Sequence, residues 1–71
     1  MFSEKLRLLR QEEGLTQTQA AERVGISGRT YQDLEGGKYP SYVTLGKIAD
    51  AFGVSVDWLM GRTEDREVHR R

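Results

Sequence analysis

Residues 15–37 read LTQTQAAERVGISGRTYQDLEGG, and this stretch decides the fold. Thr16 followed by Gln19 is the pattern of a capping box at the start of a helix, and Gly25 ends that helix. Ser27 is the N-cap residue of the next helix, which runs to a pair of glycines. Because only about three residues separate the two predicted helices, the sequence predicts a helix-turn-helix.

Similar signals predict further helices on both sides of this unit. Ser3 is an N-cap residue for a first helix that ends at Gly14. Ser41 begins a fourth helix with a regular apolar repeat, and Ser55 begins a short fifth helix at residues 56–60. The repeat consists of Leu45, Ile48, Ala49 and Phe52. No run alternates apolar and polar residues as a strand does, so we expect an all-α domain whose five helices share one core.

The composition limits the classes of function. The 71 residues include no cysteine and one histidine, His69, which excludes disulfides, thiolate nucleophiles and cysteine-based zinc sites. No nucleophile–base pair, glycine-rich phosphate loop or metal-ligand set occurs, so we expect no enzyme, catalytic residue, metal or cofactor. The longest apolar run is three or four residues, far short of the ~20 that a membrane-spanning helix needs. We therefore expect a cytoplasmic protein without a membrane partner.

The charge balance gives no global argument for or against nucleic acid. The chain has 11 basic and 11 acidic side chains, and only a local basic patch would decide the question. Residues 1–61 contain 7 basic and 8 acidic side chains, and residues 62–71 contain 4 and 3. The last ten residues are charged and nearly free of apolar side chains. This predicts a folded domain over residues 1–61 and a mobile tail over residues 62–71.

Several short motifs over about residues 3–61 occur together, in register and without gaps. They are Leu15-Thr16-Gln17, Ala21, Gly25-Ile26-Ser27, Leu34-Glu35, Gly37-Lys38, Pro40-Ser41, Leu45-Gly46-Lys47-Ile48-Ala49 and the run from Ala51 to Gly61. Together they resemble the Cro/repressor (Xre-type) helix-turn-helix domains. The resemblance implies a compact, lambda-repressor-like domain of five helices from a bacterium or phage. It also implies a dimeric transcriptional regulator, usually a repressor, that binds a palindromic double-stranded DNA operator.

The third predicted helix has a polar face of the kind that enters the major groove. On a helical wheel, Tyr31 and Leu34 face the core, and the opposite side is polar. Arg29 is the strongest candidate base reader, since a guanidinium can bond guanine O6 and N7 together. Asp33 either holds Arg29 as an i, i+4 partner or accepts from cytosine N4. The predicted base contacts are Ser27, Gly28, Arg29, Gln32 and Asp33. The alternative is an ordinary solvated helix face.

The resemblance also implies two groups of phosphate contacts. Gln17, in the first turn of the second helix, would hold a phosphate together with the backbone N–H groups of that turn. Its alternative is a simple solvent-facing residue. The second group lies in the loop after the third helix and at the start of the fourth helix. It consists of Lys38, Tyr42, Val43 and Thr44.

Two further sets of residues match structural features of related repressors. Arg10 and Glu35 stand where those domains have a partly buried ion pair between the first and third helices. A set of apolar residues near the C-terminal end matches the two-fold contact of a dimer, which would place two recognition helices about 34 Å apart. This set is Val54, Val56, Trp58 and Met60. Equally, Trp58 closes the bottom of a small core.

Four residues depart from the pattern of the family. Gly28 stands where a base-reading side chain is frequent, and Ala20 replaces a common leucine. Tyr31 replaces an aliphatic residue, and its hydroxyl needs a partner when buried. Leu8 is apolar on the outer face of the first helix. Gly28 and the carboxylate of Asp33 favour an alternative function, a protein-interaction module that binds DNA weakly and binds a toxin, a polymerase subunit or a phage protein.

Overall fold

The computed structural model describes residues 1–68, and within that range it contains five helices and no strand. The helices are α1 (Phe2–Glu12), α2 (Gln17–Val24), α3 (Gly28–Glu35), α4 (Tyr42–Phe52) and α5 (Val56–Leu59). The prediction of an all-α, five-helix domain is confirmed. Residues 69–71, which include His69 and the end of the predicted tail, lie outside the described residues.

Hydroxyl side chains cap the four helices from α2 to α5. Thr16 Oγ1 accepts from the backbone N–H of Gln19 at 3.1 Å, and Gln19 Oε1 accepts from the N–H of Thr16 at 2.9 Å. This is the predicted capping box. Ser27, Ser41 and Ser55 accept backbone N–H bonds in the same way at the starts of α3, α4 and α5. Each cap satisfies an N–H group that the helix itself leaves unpaired and contributes about 1 kcal/mol.

The first helix begins earlier than its sequence pattern predicts. Met1 takes the N-cap position and Ser3 lies inside α1, so the predicted Ser3 cap is wrong. The physical reason is the burial of Phe2, which is 7% exposed and packs into the core. Burying such a side chain stabilises by about 1.5–3 kcal/mol, more than a serine cap does.

The turn between α2 and α3 depends on Gly25. This residue has φ +87°, and its N–H donates to the Ala21 carbonyl at 2.8 Å. A left-handed backbone at this position favours glycine, because a side chain there would be strained. The chain therefore leaves α2 at once and starts α3 after two more residues, Ile26 and Ser27.

One hydrophobic core lies between the helices. Its buried members are Phe2, Leu6, Leu9, Ala20, Ala21, Val24, Tyr31, Leu34, Leu45, Ile48, Ala49, Val54, Trp58 and Leu59. Tyr31 is fully buried in this core, whereas Leu8 is on the outside of α1. The Tyr31 hydroxyl forms no hydrogen bond within residues 1–68. Its burial, followed by the nearby Glu35 carboxylate, raises the pKa of Tyr31 well above its usual range.

After α5 the chain turns back along the domain. Arg62 N–H donates to the Asp57 carbonyl at 2.8 Å, and the Arg66 carbonyl accepts from the N–H of Ser55 at 2.9 Å. The mobility of residues 62–71 stays a prediction, although the described part of that segment contacts the helices. Over residues 1–68, no helix is long and apolar enough to cross a membrane. No group of three or more potential ligand residues in that range could hold a metal ion.

Candidate nucleic-acid interface

The helix α3 presents a polar surface on the side away from the core. Tyr31 and Leu34 are buried, as the helical wheel predicts. Asp33 is half-buried at the edge of the polar surface. The exposed residues of this surface are Gly28, Arg29, Thr30 and Gln32. The structure therefore brings four of the predicted base-contact residues, Gly28, Arg29, Gln32 and Asp33, to one exposed side of a short helix.

Arg29 and Asp33 form an ion pair on this surface. Arg29 Nε lies 3.5 Å from Asp33 Oδ1, and the Arg29 side chain is 85% exposed. An exposed pair one helical turn apart contributes only about 0.3–0.5 kcal/mol to stability. Its main effect is to restrict the directions in which the guanidinium can point. This contact matches the first of the two predicted roles of Asp33, the holding of Arg29.

At the start of α3, the Ser27 hydroxyl is already engaged as the helix cap. Its hydroxyl accepts from the N–H of Thr30 at 3.1 Å and donates to Thr30 Oγ1 at 2.9 Å. Thr30 is an exposed residue that sequence reasoning missed, because the wheel places it between the polar face and the core. Gly28 stands in open space, since an added Cβ would meet no atom within 4 Å. At Gly28, the first residue of α3, no side chain covers the backbone.

The other end of α3 is held by Glu35, whose side chain is almost completely buried. Arg10 Nε donates to Glu35 Oε2 at 2.7 Å and Arg10 Nη2 donates to Oε1 at 3.1 Å. Gln17 Nε2 donates to the same Oε1 at 3.1 Å. Arg7 Nη2 donates to the backbone carbonyl of Glu35 at 3.1 Å. We call these four residues the Glu35 cluster. The predicted Arg10–Glu35 ion pair is therefore present, and Arg7 and Gln17 are partners that sequence reasoning missed.

The cluster keeps Glu35 ionised. Burial works to raise the pKa of Glu35, but the hydrogen bonds from Arg10, the neighbouring Tyr31 hydroxyl and the hydrogen bond from Gln17 outweigh it and hold that pKa below its usual value. The Glu35 carboxylate in turn raises the pKa of Arg10. A buried pair with both charges hydrogen-bonded is costly to break, because removing one partner leaves the other buried and uncompensated. α3 is thus fixed to α1 and to the first turn of α2.

The predicted phosphate contact Gln17 is half-buried, and its amide already binds Glu35. The second predicted group lies around the loop after α3. Lys38, Tyr42 and Val43 are exposed there, and Thr44 accepts a hydrogen bond from the Ser41 hydroxyl at 3.0 Å. Tyr39, next to Lys38, is 84% exposed and was also missed. Two exposed tyrosines, one in this loop and one at the start of α4, offer hydroxyl donors, and Lys38 offers one positive charge.

Comparisons with known proteins identify the family of this chain. A model of the helix-turn-helix family matches residues 6–59. The chain belongs to the helix-turn-helix family. The predicted resemblance to Cro/repressor (Xre-type) domains is confirmed. This helix-turn-helix family consists of DNA-binding regulators rather than enzymes, in agreement with the prediction of a non-enzymatic domain.

Individual helix-turn-helix relatives are similar over most of this chain. An uncharacterized HTH-type transcriptional regulator of Bacillus subtilis (strain 168), YqaE, is 36% identical over 96% of this chain. The cryptic phage CTXphi transcriptional repressor RstR of Vibrio cholerae is 43% identical over 82%, and the immunity repressor protein of Bacillus phage phi105 is 36% identical over 82%. The chain spans 60%, 54% and 41% of the lengths of these three relatives.

At the C-terminal end of this helix-turn-helix domain, the predicted dimer contacts separate into two pairs. Val54 and Trp58 are buried, which agrees with the alternative that Trp58 closes the core, and the role of the four residues in a dimer stays a prediction. Met60 is 56% exposed and Val56 is half-buried, so these two remain available to a partner.

Proposed function

We propose that this helix-turn-helix domain binds double-stranded DNA in a sequence-specific manner, with α3 in the major groove, and that it represses transcription as a homodimer. The observation that carries the proposal is the exposed polar side of α3. It presents Arg29 to solvent, with Asp33 restricting its direction, on a helix whose far end the Glu35 cluster fixes. A helix fits the major groove, where N-terminal residues of a recognition helix reach base edges. The phage repressors among the relatives support repression as the direction of control.

Within this proposal the residues of α3 have different roles. Arg29 bonds guanine O6 and N7, and Gln32 pairs with adenine or with a phosphate. Gly28 lets the backbone approach the DNA closely, since it has no side chain. Ser27 lies at the start of the helix near the DNA. Its hydroxyl is not free to bond a base, because it is engaged with Thr30. Asp33 orients Arg29 through their ion pair.

Phosphate contacts fix the position of the helix in the groove but carry no sequence information. Lys38 supplies charge, and Tyr42, Val43 and Thr44 supply hydroxyl and backbone donors at the start of α4. Gln17 exchanges its hydrogen bond to Glu35 for one to a phosphate, because Arg10 still donates two hydrogen bonds to that carboxylate. The N–H groups at the start of α2 favour an anion at this place.

A homodimer accounts for binding to a palindromic operator. Met60 and Val56 are the apolar residues available for a two-fold contact at the end of the domain. Two copies would place their α3 helices one turn of DNA apart, about 34 Å. Such a regulator acts in the cytoplasm of a bacterium, where the bacterial or phage DNA lies.

A second candidate function is a protein-interaction module with weak DNA binding. Two observations favour it: a carboxylate, Asp33, lies at the edge of the proposed reading surface, and Tyr39, Tyr42 and Val43 are exposed in the loop after α3 and at the start of α4. A toxin, a polymerase subunit or a phage protein would pack on such aromatic residues.

The salt dependence of binding to a labelled duplex separates the two functions. If several phosphates are neutralised, the logarithm of the binding constant falls steeply between about 50 and 200 mM salt. Lys38→Ala should then reduce the slope by about 1. Lys47→Ala, which removes an equal charge from the exposed surface of α4, is the matched control. A flat salt dependence, or equal slopes for the wild type and Lys38→Ala, argues against the DNA interface.

A further inference from the structure

The chain after α5 follows a path that its own backbone defines. Gly61 has φ +77°, and its N–H donates to the Trp58 carbonyl at 3.0 Å. Arg62 N–H then donates to the Asp57 carbonyl at 2.8 Å. Asp65 N–H donates to Thr63 Oγ1 at 3.2 Å, which forms a further local turn. These bonds turn residues 62–66 back towards the start of α5. We call residues 62–66 the strap.

Arg66 connects the strap to three other parts of the domain. Its backbone carbonyl accepts from the N–H of Ser55, the N-cap residue of α5, at 2.9 Å. Its guanidinium donates to both oxygens of Glu12 on α1, Nη2 to Oε1 at 2.7 Å and Nη1 to Oε2 at 3.1 Å. The same guanidinium lies 5.0 Å from the centre of the Trp58 ring. A bidentate arginine–carboxylate contact is geometrically specific, unlike the general attraction of two surface charges.

Trp58 is covered by cations from two different segments. Lys5 Nζ on α1 lies 4.9 Å from the ring centre and donates to the Trp58 carbonyl. Trp58 is only 8% exposed, and Lys5 and Arg66 both lie against its ring. A cation near an indole ring is attracted by the ring electrons, and the alkyl part of the side chain excludes water. The strap therefore forms part of the cover of the core.

We infer that the strap is an integral part of the folded domain, with Arg66 as an anchor that fastens α5 to the last turn of α1. The strap lies beyond residues 6–59, the part that the family model matches. It supplies something that α5 lacks, because a helix of four residues has little surface of its own with which to pack on α1. The Arg66 contact also lowers the pKa of Glu12, as expected of a carboxylate held by a guanidinium. This inference does not depend on DNA binding.

Two residues report on the strap directly, the single tryptophan and the amide of Ser55. In Arg66→Ala, we expect acrylamide to quench Trp58 fluorescence more strongly than in the wild type. We also expect the Ser55 amide hydrogen to exchange about tenfold faster, because its acceptor carbonyl is no longer held in place. Arg62→Ala is the matched control, since Arg62 lies in the same strap and its side chain forms only a long, exposed contact with Asp57, at 3.9 Å. This control should leave both measurements unchanged.

A charge-exchanged variant distinguishes the anchor from a general loss of stability. Glu12→Arg alone should resemble Arg66→Ala, and Glu12→Arg combined with Arg66→Glu should recover a large part of the protection of Ser55. The inference is overturned if Arg66→Ala leaves the Ser55 exchange rate and the quenching of Trp58 at their wild-type values. It is equally overturned if Arg62→Ala changes both measurements as much as Arg66→Ala does.

Discussion

Arg10 and Glu35, 25 residues apart in the sequence, join α1 to the end of α3 through two hydrogen bonds of 2.7 and 3.1 Å. Glu35 is 5% exposed, so its charge depends on this partner. The relationship links stability to function, because α3 can present Arg29 in a constant direction only if its other end is fixed. The same side of α1 also carries Arg7, which caps the Glu35 carbonyl.

Replacing one member of this pair should destabilise the domain strongly. We expect Arg10→Met to lower the free energy of unfolding by about 3–5 kcal/mol, because it leaves Glu35 charged, buried and short of donors. The double variant Arg10→Met with Glu35→Leu should lose less than the sum of the two single variants, since it leaves no uncompensated charge. Urea denaturation of the wild type, the two single variants and the double variant measures the coupling energy between Arg10 and Glu35. Strictly additive losses of stability would contradict the prediction.

The lowered pKa of Glu35 predicts a loss of stability in acid. Its contribution should be fully present above the ordinary carboxyl value of 4.5 and should be lost as the pH falls through the lower pKa of the folded state. The urea concentration at the midpoint of unfolding of the wild type should therefore decrease as the pH falls below 4.5. Glu35→Gln should be less stable at neutral pH and should show a smaller decrease in acid. The pKa of Glu12 is also lowered, by its contact with Arg66, but this contribution is common to both proteins, so the comparison isolates Glu35.

Gly46 offers a stabilising substitution within α4. It lies in the interior of the helix, and an added Cβ would meet no atom within 4 Å. Gly46→Ala should raise the free energy of unfolding by about 0.5–1 kcal/mol, because alanine loses less backbone freedom on folding. Gly53→Ala is the matched control at the end of the same helix. Its φ of +66° should make that variant less stable by about 1 kcal/mol. Equal effects of the two substitutions on the melting temperature would refute the argument.

Asp33 should limit the affinity of the domain for DNA in general. Removing its charge with Asp33→Asn should tighten binding to duplexes of any sequence by about two- to tenfold, since the carboxylate repels nearby phosphates. It should also weaken the preference for the best sequence, because Arg29 loses the partner that orients it. Asp50→Asn, an exposed carboxylate on α4, is the control for net charge. Fluorescence anisotropy with specific and random duplexes tests both effects, and tighter binding by Asp50→Asn as well would indicate a charge effect without a role for position 33.

Local sequence is enough to predict most of the helix boundaries. The caps at Thr16, Ser27, Ser41 and Ser55 each depend on a bond between residues three apart, so the pattern alone identifies them. The start of α1 was predicted wrongly because Phe2 is buried against residues distant in the sequence. The sequence pattern of a helix cap involves only neighbouring residues, so it does not report the burial of Phe2.

The candidate site was only partly predictable for the same reason. The exposed side of α3 follows from helical periodicity, whereas the bonds of Arg7 and Gln17 to Glu35 depend on how three helices cross. The sequence of an apolar residue also does not show whether the side chain packs on its own core or on a partner, so the sequence alone is compatible with both roles of Trp58. Arg66 was missed because a charged segment after the last predicted helix is usually solvated.

The central claim is that α3 reads DNA through Arg29, and selection from a random duplex library tests it most directly. The wild type and Arg29→Ala would be selected side by side at moderate salt, and the enriched pools sequenced. We expect the wild type to enrich an inverted repeat with half-sites centred about 10–11 base pairs apart. Arg29→Ala should enrich the same repeat with one position in each half-site relaxed. The account is contradicted if the wild type enriches no motif, or if Arg29→Ala yields an identical one.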